Sequence, residues 1–198
     1  MKKHILICGE KGVGKSTLIE RLLKDKNIPL YGFLTKRTQP YETGFHQVYM
    51  FAANEMFSDE KHKTYIGQSN SVDHSELIEV FDNLGVEYIK SAKPDGIIIM
   101  DELGYMESKA DKFTKAVFDA LNGDIPVIAS VKNRFDVDFL NNVRAHEKGQ
   151  IYVINEDNRD SLYEELKNVF DELIRFWADS NFKLKIKFIK NILNLLAF

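Results

Sequence analysis

The residues with the clearest chemistry lie near the start of the chain, in the segment GEKGVGKS at residues 9–16. This segment matches the pattern G-x-x-x-x-G-K-[ST], in which glycines allow successive backbone N–H groups to surround phosphate oxygens. Lys15 is placed to reach the β- and γ-phosphates of a nucleotide, and the Ser16 hydroxyl is placed to bind Mg²⁺. The predicted nucleotide-binding residues of this loop are Gly9, Glu10, Lys11, Gly12, Val13, Gly14, Lys15, Ser16 and Thr17.

The flanking sequence favours this interpretation over a glycine-rich turn with an unrelated lysine. The apolar run Ile5–Cys8 precedes the loop and predicts a strand that is buried on both faces of a parallel sheet. Apolar residues at helical spacing over residues 18–23 predict a helix, which ends near Asn27 and Pro29. A strand, a glycine-rich loop and a helix in this order form the context in which the pattern marks a phosphate site.

A second candidate group is the acidic pair Asp101 and Glu102, which follows the apolar run Ile97–Met100. In open α/β sheets, ligands bind at the carboxyl ends of the strands, where the phosphate loop also lies. Asp101 is therefore a candidate Mg²⁺ partner, directly or through water, and Glu102 is a candidate general base that activates a water. Taken alone, two carboxylates after a strand fit a loop or a helix cap equally well, and the phosphate loop favours the site.

The elements that must position these residues alternate between strand and helix. Further strands are predicted at residues 125–131 and 151–154, and helices at 73–84, 113–121, 139–143 and 162–177. Residues 31–37 and 45–52 predict a β-hairpin, and the polar residues 54–72 predict a loop. The pattern indicates a three-layer α/β fold with a mostly parallel sheet, a β-hairpin after the first helix and helices on both faces.

The composition is that of a globular protein with one main domain. The chain has 198 residues, of which 44% are apolar and 29% charged, which excludes disordered, collagen-like and disulfide-scaffold classes. Its net charge of −3 argues against a general nucleic-acid binder, so we expect no specific nucleic-acid binding. The single cysteine, Cys8, cannot form an internal disulfide, and no apolar stretch is long enough to span a membrane. We therefore expect a cytoplasmic protein.

The segment DELGYMES at residues 101–108 resembles the D-E-I-G-K-M-E stretch of a known family. This is the nucleoside-triphosphatase family first described from thermophiles, called cancer-related nucleoside-triphosphatase in animals. Three more segments are similar to that family: GEKGVGKSTL at 9–18, IPLYGFLTKR at 28–37 and INEDNRDSL at 154–162. The resemblance covers about residues 3–175, and it is specific outside the phosphate loop, whose pattern a large superfamily shares.

The resemblance implies a RecA-like P-loop fold and slow, Mg²⁺-dependent hydrolysis of ATP, GTP and other nucleoside triphosphates to nucleoside diphosphate and phosphate. It implies that Lys15 and Ser16 hold phosphate and Mg²⁺. It also implies that Asp101 is the metal partner and Glu102 the water-activating base. Asn158–Arg159 would lie near the nucleotide, and the alternative interpretation of this pair is the start of a surface helix.

Phosphoryl transfer usually needs a positive charge besides the lysine of the phosphate loop. The family usually carries a lysine where this chain has Tyr105, so that candidate is missing. Arg37, at the end of a matching segment, is the leading candidate for stabilising the transition state. The other candidates are Lys36, Arg134, Arg144 and Arg159. Taken singly, each is more simply explained as a solvated surface charge. Glu107 also lies in a matching segment, but the sequence assigns it no role.

The end of the chain differs in character from the rest. We interpret residues 1–178 as a P-loop NTPase domain and residues 179–198 as a basic, apolar extension. The tail, residues 181–198, carries four Lys and no acid, so the net charge divides into +4 here and −7 over the remaining residues. Its pattern is strand-like over 182–188 and helix-like over 189–196. Packing on the body or self-association is favoured over contact with an anionic membrane surface.

Three functions compete for this sequence. The first is hydrolysis of nucleoside triphosphates, which Glu102 favours because a carboxylate beside the metal partner can activate water. The second is a nucleotide or small-molecule kinase, in which the loop at 54–72 would serve as a lid, although such enzymes usually carry more arginines. The third is a non-catalytic nucleotide switch that binds a partner through the tail.

Overall fold

The computed structural model describes residues 2–37, 47–55, 65–68 and 75–195. Its strands are β1 (His4–Gly9), β2 (Leu30–Arg37), β3 (Gln47–Ala52), β4 (Tyr65–Gln68), β5 (Ile97–Leu103), β6 (Val127–Lys132) and β7 (Gly149–Val153). Its α-helices are α1 (Lys15–Leu23), α2 (Ser75–Val80), α3 (Val86–Lys90), α4 (Asp111–Asn122), α5 (Asp138–Arg144) and α6 (Arg159–Leu195). The strands and helices predicted around the phosphate loop and the acidic pair are confirmed.

All seven strands form one sheet in the order β4-β3-β2-β5-β6-β1-β7. Strand β1 is parallel to β6 and β7, and β5 is parallel to β2 and β6. The antiparallel pairings among the described strands are β2–β3 and β3–β4, at one edge, so the mostly parallel sheet and the β2–β3 hairpin after α1 are confirmed. Because β6 lies between β1 and β5, the carboxyl ends of these three strands lie side by side.

The central strands are buried on both faces, which explains their unbroken apolar runs. Alternate residues of β1 divide between the faces, since Ile5 and Ile7 belong to one buried cluster while Leu6 and Cys8 belong to the other. The first cluster is completed by α1 and α6, and the second by α2, α3, α4 and α5. Each fully buried aliphatic side chain contributes about 1.5–3 kcal/mol. The sheet therefore forms the middle of three layers.

The predicted loop at residues 54–72 is wrong in part. Residues 65–68 form β4, which pairs antiparallel with β3 at the edge of the sheet. A four-residue edge strand depends on its pairing partner rather than on its own pattern, so the sequence carried little sign of it. Residues 56–64 and 69–74 lie outside the described residues, as does Asp73, the predicted cap of the next helix. That helix is divided into α2, a π-helical turn at Phe81–Gly85, and α3.

Helix α6 continues without interruption from Arg159 to Leu195. The strand-like pattern predicted over residues 182–188 is therefore wrong, because a helix once formed adds each further residue at little cost. The division of the chain between residues 178 and 179 stays a prediction. Within the part of the chain that the structure describes, no helix has both the length and the apolar character needed to cross a membrane.

Candidate functional site

The phosphate loop joins β1 to α1 and folds back over the side chain of Lys15. Gly12 and Gly14 have φ angles of +78° and +104°, which L residues with a side chain rarely adopt. The ammonium of Lys15 donates to the carbonyl oxygens of Gly9 at 3.0 Å and Glu10 at 2.9 Å, and its side chain is 5% exposed. The loop thus holds a nearly buried positive charge at the N-terminus of α1, where anions are favoured.

Glu102 connects this loop to the neighbouring strands. Asp101 and Glu102 lie within β5 near its carboxyl end, rather than after the strand. The Oε1 atom of Glu102 is 3.1 Å from the Nζ atom of Lys15, and its Oε2 atom is 3.6 Å from the Nζ atom of Lys132. One carboxylate therefore lies between two ammonium groups, one from the phosphate loop and one from the end of β6.

Asp101 forms a separate buried group with two serine hydroxyls. Its carboxylate is 2% exposed and accepts hydrogen bonds from the side chains of Ser130 and Ser16. Burial raises the pKa of Asp101 to about 6, and the two serine hydrogen bonds oppose that rise. Ser16 and Asp101, predicted from distant parts of the sequence as the Mg²⁺ residues, are thus brought into direct contact.

These oxygen atoms suit Mg²⁺ in type and number. Among the described residues, no group of three or more His, Cys, Asp or Glu side chains could hold a metal ion. Mg²⁺ does not require such a group, because it usually binds one or two carboxylates, several waters and the phosphates of a substrate. The contact between Ser16 and Asp101 at the phosphate loop therefore fits the ion.

A cavity of about 570 Å³ opens beside these groups. Its lining includes Gly12 and Ser16 from the phosphate loop, Asp101 and Glu102 from β5, and Lys132 from β6. The volume lies within the range of about 300–1,000 Å³ that is typical of small-molecule sites. The cavity thus brings the predicted phosphate, metal and base residues to one place at the carboxyl edge of the sheet.

Two functional candidates, Ser130 and Lys132, were not found from the sequence, and a third, Glu107, was noticed without a role. Ser130 is a polar residue between the apolar residues of β6, and this exception was the signal available for it. Glu107 is 3% exposed, lines the cavity and accepts a hydrogen bond from the backbone N–H of Gly104. Burial raises the pKa of Glu107 to about 7. Lys132 had no signal, because a lysine at the end of a strand is usually a solvated charge.

The predicted transition-state cations are spread over the molecule. Arg37 ends β2, where its backbone pairs with Val48, and its side chain lies outside the described part of the chain. Lys36 lines the cavity from the hairpin. The guanidinium of Arg134 is 2.5 Å from a carboxylate oxygen of Asp136 and lies 5.4 Å from the ring centre of Tyr105. Arg134 is thus engaged at the surface.

Two further arginines have different surroundings. Arg144 donates to the carbonyl oxygens of Lys132 at 2.9 Å and Arg134 at 2.7 Å, so it supports the segment that follows β6. Arg159 pairs with Glu156 at 3.6 Å, and its Nε atom is 3.9 Å from the place that a Cβ atom on Gly14 would occupy. Arg159 therefore lies beside the phosphate loop.

Asn158 is used in the turn before α6. Its side-chain amide donates to the carbonyl oxygen of Val153, and its carbonyl oxygen accepts from the N–H of Asn155, both at 2.8 Å. Its backbone carbonyl accepts the first hydrogen bond of the helix, from Leu162 at 2.8 Å. These contacts agree with the start of a helix, and its place near the nucleotide stays a prediction.

Comparison with known proteins gives relatives along most of the chain. A family model described as NTPase matches residues 4–167. The nucleoside-triphosphatase THEP1 of Methanocaldococcus jannaschii is 36% identical over 173 residues, which cover 83% of this chain and 95% of that protein. The protein of the same name from Methanothermobacter thermautotrophicus is 30% identical over 167 residues, covering 80% of this chain and 91% of that protein.

Two solved structures share the fold. The crystal structure of THEP1 from the hyperthermophile Aquifex aeolicus superposes with a TM-score of 0.60 at 21% identity, covering 82% of this chain and 96% of that chain. The solution structure of a human cancer-related nucleoside triphosphatase gives a TM-score of 0.61 at 20% identity, covering 86% of this chain and 98% of that chain. These likenesses confirm the predicted three-layer α/β fold. Because the family model spans most of its length, this chain belongs to the NTPase family.

Proposed function

We propose that this chain hydrolyses nucleoside triphosphates to nucleoside diphosphate and phosphate, with Mg²⁺ as its cofactor. The observation that carries the proposal is the 3.1 Å contact between the ammonium of Lys15 and the carboxylate of Glu102. It joins the cation of a phosphate-binding loop to the one acidic group best placed to activate water. A nucleotide-binding loop without such a carboxylate would favour binding alone.

The residues have distinct roles in this reaction. Backbone N–H groups of the loop and the N-terminus of α1 bind the phosphate oxygens. The ammonium of Lys15 exchanges its contacts with the carbonyl oxygens of Gly9 and Glu10 for contacts with the β- and γ-phosphates. Ser16 and Asp101 would hold the metal ion, which supplies positive charge beside the phosphates when bound.

Glu102 acts on the attacking water. A water oxygen forms a bond to the γ-phosphorus while the bond between that phosphorus and the β–γ bridging oxygen breaks. The proton of the water passes to the carboxylate of Glu102, and the nucleoside diphosphate leaves with its bridging oxygen. The side chain of Glu102 is 25% exposed, so water in the cavity can reach its carboxylate.

Broad specificity and slow turnover form part of the same proposal. In this proposal the site residues bind the phosphates and the metal ion, and both are common to the Mg²⁺ complexes of ATP, GTP and other nucleotides. A slow rate agrees with arginines that are engaged elsewhere, since Arg134 pairs with Asp136 and Arg144 holds backbone carbonyls. Arginine supplied to the transferred phosphate speeds related reactions by about 10³–10⁵-fold.

Phosphate release from ATP, GTP, CTP and UTP, measured with Mg²⁺ and with EDTA, tests the proposal. We expect release from all four nucleotides with Mg²⁺ and none with EDTA. The Asp101→Asn variant should need at least about tenfold more Mg²⁺ for half-maximal phosphate release. Even residues that contact a metal only through its ligands contribute about tenfold to metal affinity. Asp95, an exposed carboxylate beside the amino end of the same strand, gives the matched control Asp95→Asn.

Three outcomes would contradict the proposal. Phosphate release that is equal with Mg²⁺ and with EDTA would remove the metal from the reaction. Transfer of the γ-phosphate to an added nucleotide or sugar acceptor in preference to water would favour a kinase instead. Tight nucleotide binding with no release under any condition would favour a switch.

A further inference from the structure

Among the described residues, Lys132 is a cationic side chain outside the phosphate loop that forms an ion pair with Glu102. Its Nζ atom is 3.6 Å from Oε2 of Glu102, while Lys15 contacts Oε1 of the same carboxylate at 3.1 Å. The side chain is 30% exposed and lines the cavity. The two ammonium groups, one from the phosphate loop and one from the end of β6, therefore share one acidic partner.

The backbone of Lys132, at the end of β6, is held by hydrogen bonds to the segment that follows. Its carbonyl oxygen accepts hydrogen bonds from a guanidinium N–H of Arg144 and from the backbone N–H of Arg134, both at 2.9 Å. The next residue, Asn133, donates from its side-chain amide to Oε1 of Glu10 at 2.7 Å, which ties the end of β6 to the phosphate loop. A side chain that starts from such a position is oriented before substrate arrives.

The path of the Lys132 side chain depends on the missing side chain of Gly104. A Cβ atom on Gly104 would be 3.1 Å from the Nζ atom of Lys132 and 3.3 Å from Oε1 of Glu107. The ammonium thus lies close to the segment after β5, with the carboxylate of the buried Glu107 near the same point. Contact on several sides limits the positions that this flexible side chain can adopt.

We propose that Lys132 is a catalytic residue, whose ammonium binds an oxygen of the terminal phosphate during hydrolysis. The proposal rests on the proposed function. Before the reaction, Glu102 neutralises part of the charge of both lysines. When Glu102 takes the proton from water it loses its negative charge, so Lys15 and Lys132 then both face the phosphate oxygens. The positive charges of the two lysines are therefore no longer neutralised by Glu102 at the stage when negative charge on the phosphate oxygens must be stabilised.

Two other cations near the end of β6 are engaged in other contacts. Arg134 is paired with Asp136, and Arg144 is occupied by the backbone of the segment after β6. Tyr105, in the segment after β5, lies against the guanidinium of Arg134. Lys132 is therefore placed to supply positive charge beside Glu102.

The test compares wild type with Lys132→Ala, Lys132→Arg and the control Arg134→Ala, which removes a cation two positions away. Turnover is measured as phosphate release, and affinities are measured for ADP and for a non-hydrolysable ATP analogue. In Lys132→Ala, kcat should fall about 10²–10³-fold, the usual loss of one preorganised donor. Its preference for triphosphate over diphosphate should fall about tenfold, because a charge-assisted contact is lost. Lys132→Arg should recover part of both losses, and Arg134→Ala should stay within about twofold of wild type.

The two affinities separate failure of this proposal from failure of the proposed function. A Lys132→Ala variant that hydrolyses within about twofold of wild type would overturn the proposal while the hydrolase function stands. If wild type releases no phosphate, the proposed function fails, and an unchanged preference for triphosphate in Lys132→Ala would still reject the contact. Equal losses of ADP and triphosphate affinity, with a lowered melting temperature, would show structural damage and would also reject it.

Discussion

The two ends of the sheet both contain buried ionisable groups, but these groups are paired in different ways. Among the described residues, the buried polar or charged side chains are His4, Lys15, Asp101, Glu107 and Ser130. Only His4 belongs to the amino end of the strands, and the others surround the phosphate loop at the carboxyl end. Burial by itself therefore does not distinguish a functional group from a structural one.

At the amino end, His4 is fully used by the backbone. Its Nε2 atom donates to the carbonyl oxygen of Leu121 at 2.8 Å, because Nδ1 accepts from the N–H of Val127 at 3.1 Å. Burial lowers the pKa of His4 to about 4, so the ring is neutral and both nitrogens are satisfied. This histidine joins β1 to α4 and β6 and has no hydrogen-bonding capacity left for a ligand.

At the carboxyl end, charged side chains are paired with each other beside a cavity. Glu102 divides its carboxylate between Lys15 and Lys132, and Asp101 contacts the hydroxyls of Ser16 and Ser130. Such side-chain partners can be exchanged for phosphate oxygens or a metal ion. The comparison teaches that the exchangeable partner, rather than burial, marks the site.

The largest expected difference between the two ends comes from removing one lysine at each of them. Lys15→Ala should lower turnover by about 10³-fold or more, the order that single cations contribute to phosphoryl transfer, and should weaken nucleotide binding. Lys3→Ala removes a lysine at the amino end that pairs with Asp124 at 2.5 Å, and it should leave turnover within about twofold. Phosphate release and nucleotide titration measure both. Similar losses in the two variants would remove the distinction between the ends.

Replacing His4 should affect stability and leave the chemistry intact. In His4→Ala, the N–H of Val127 and the carbonyl of Leu121 lose their side-chain partner, so the unfolding free energy should fall by about 2–4 kcal/mol. His146→Ala, which removes the half-buried ring 6.3 Å away, should cost less. Denaturant unfolding gives the free energies, and kcat of the folded fraction should be unchanged. A fall in kcat at full folding would contradict a purely structural role.

The same histidine should make stability depend on pH. Its pKa is about 4 in the folded chain against an ordinary value of 6.5, so the unfolded chain binds the proton more readily. The contribution of His4 is therefore complete above pH 6.5 and is lost as the pH falls towards 4, by up to about 3 kcal/mol. The unfolding free energies of wild type and His4→Gln should differ at pH 7, and this difference should be smaller at pH 4.5. A difference that is constant with pH would reject a neutral His4.

The smallest expected effect comes from Arg144, a charge at the carboxyl end whose guanidinium donates to backbone carbonyl oxygens. Arg144→Ala removes hydrogen bonds to two backbone carbonyls and should cost about 1–2 kcal/mol of stability. Turnover should fall by about tenfold or less, because Lys132 is then less firmly placed. Arg144→Lys should recover little, since an ammonium lacks the planar fork. A loss of turnover as large as that of Lys15→Ala would make Arg144 part of the chemistry.

Much of the fold could be predicted from the sequence, because the central strands carry unbroken apolar runs and the helices carry clear stripes. The phosphate loop and the pair Asp101 and Glu102 were also predictable, since both lie at the carboxyl ends of buried strands that share one edge. What periodicity could not give was the edge strand β4, whose four residues depend on pairing with β3. It also misjudged residues 182–188, where alternation resembles a strand but α6 simply continues.

The part of the site that escaped prediction depends on strand order. Ser130 and Lys132 belong to the site because β6 lies between β1 and β5, and no local sequence pattern indicates this strand order. Glu107 was noticed, but its burial beside Gly104 follows from a turn that the pattern does not indicate. The leading predicted cation, Arg37, stays a prediction, whereas the proposal for Lys132 rests on its contact with Glu102.

The central claim is that Glu102 activates water at the carboxyl end of the sheet, and one variant tests it most directly. Glu102→Gln keeps the size of the side chain and removes the base. It should bind a triphosphate at least as tightly as wild type, because Lys15 and Lys132 lose their carboxylate partner. Its rate of phosphate release, measured with saturating Mg²⁺ and nucleotide, should fall by about 10²–10⁴-fold. Release within about twofold of the wild-type rate would contradict the account.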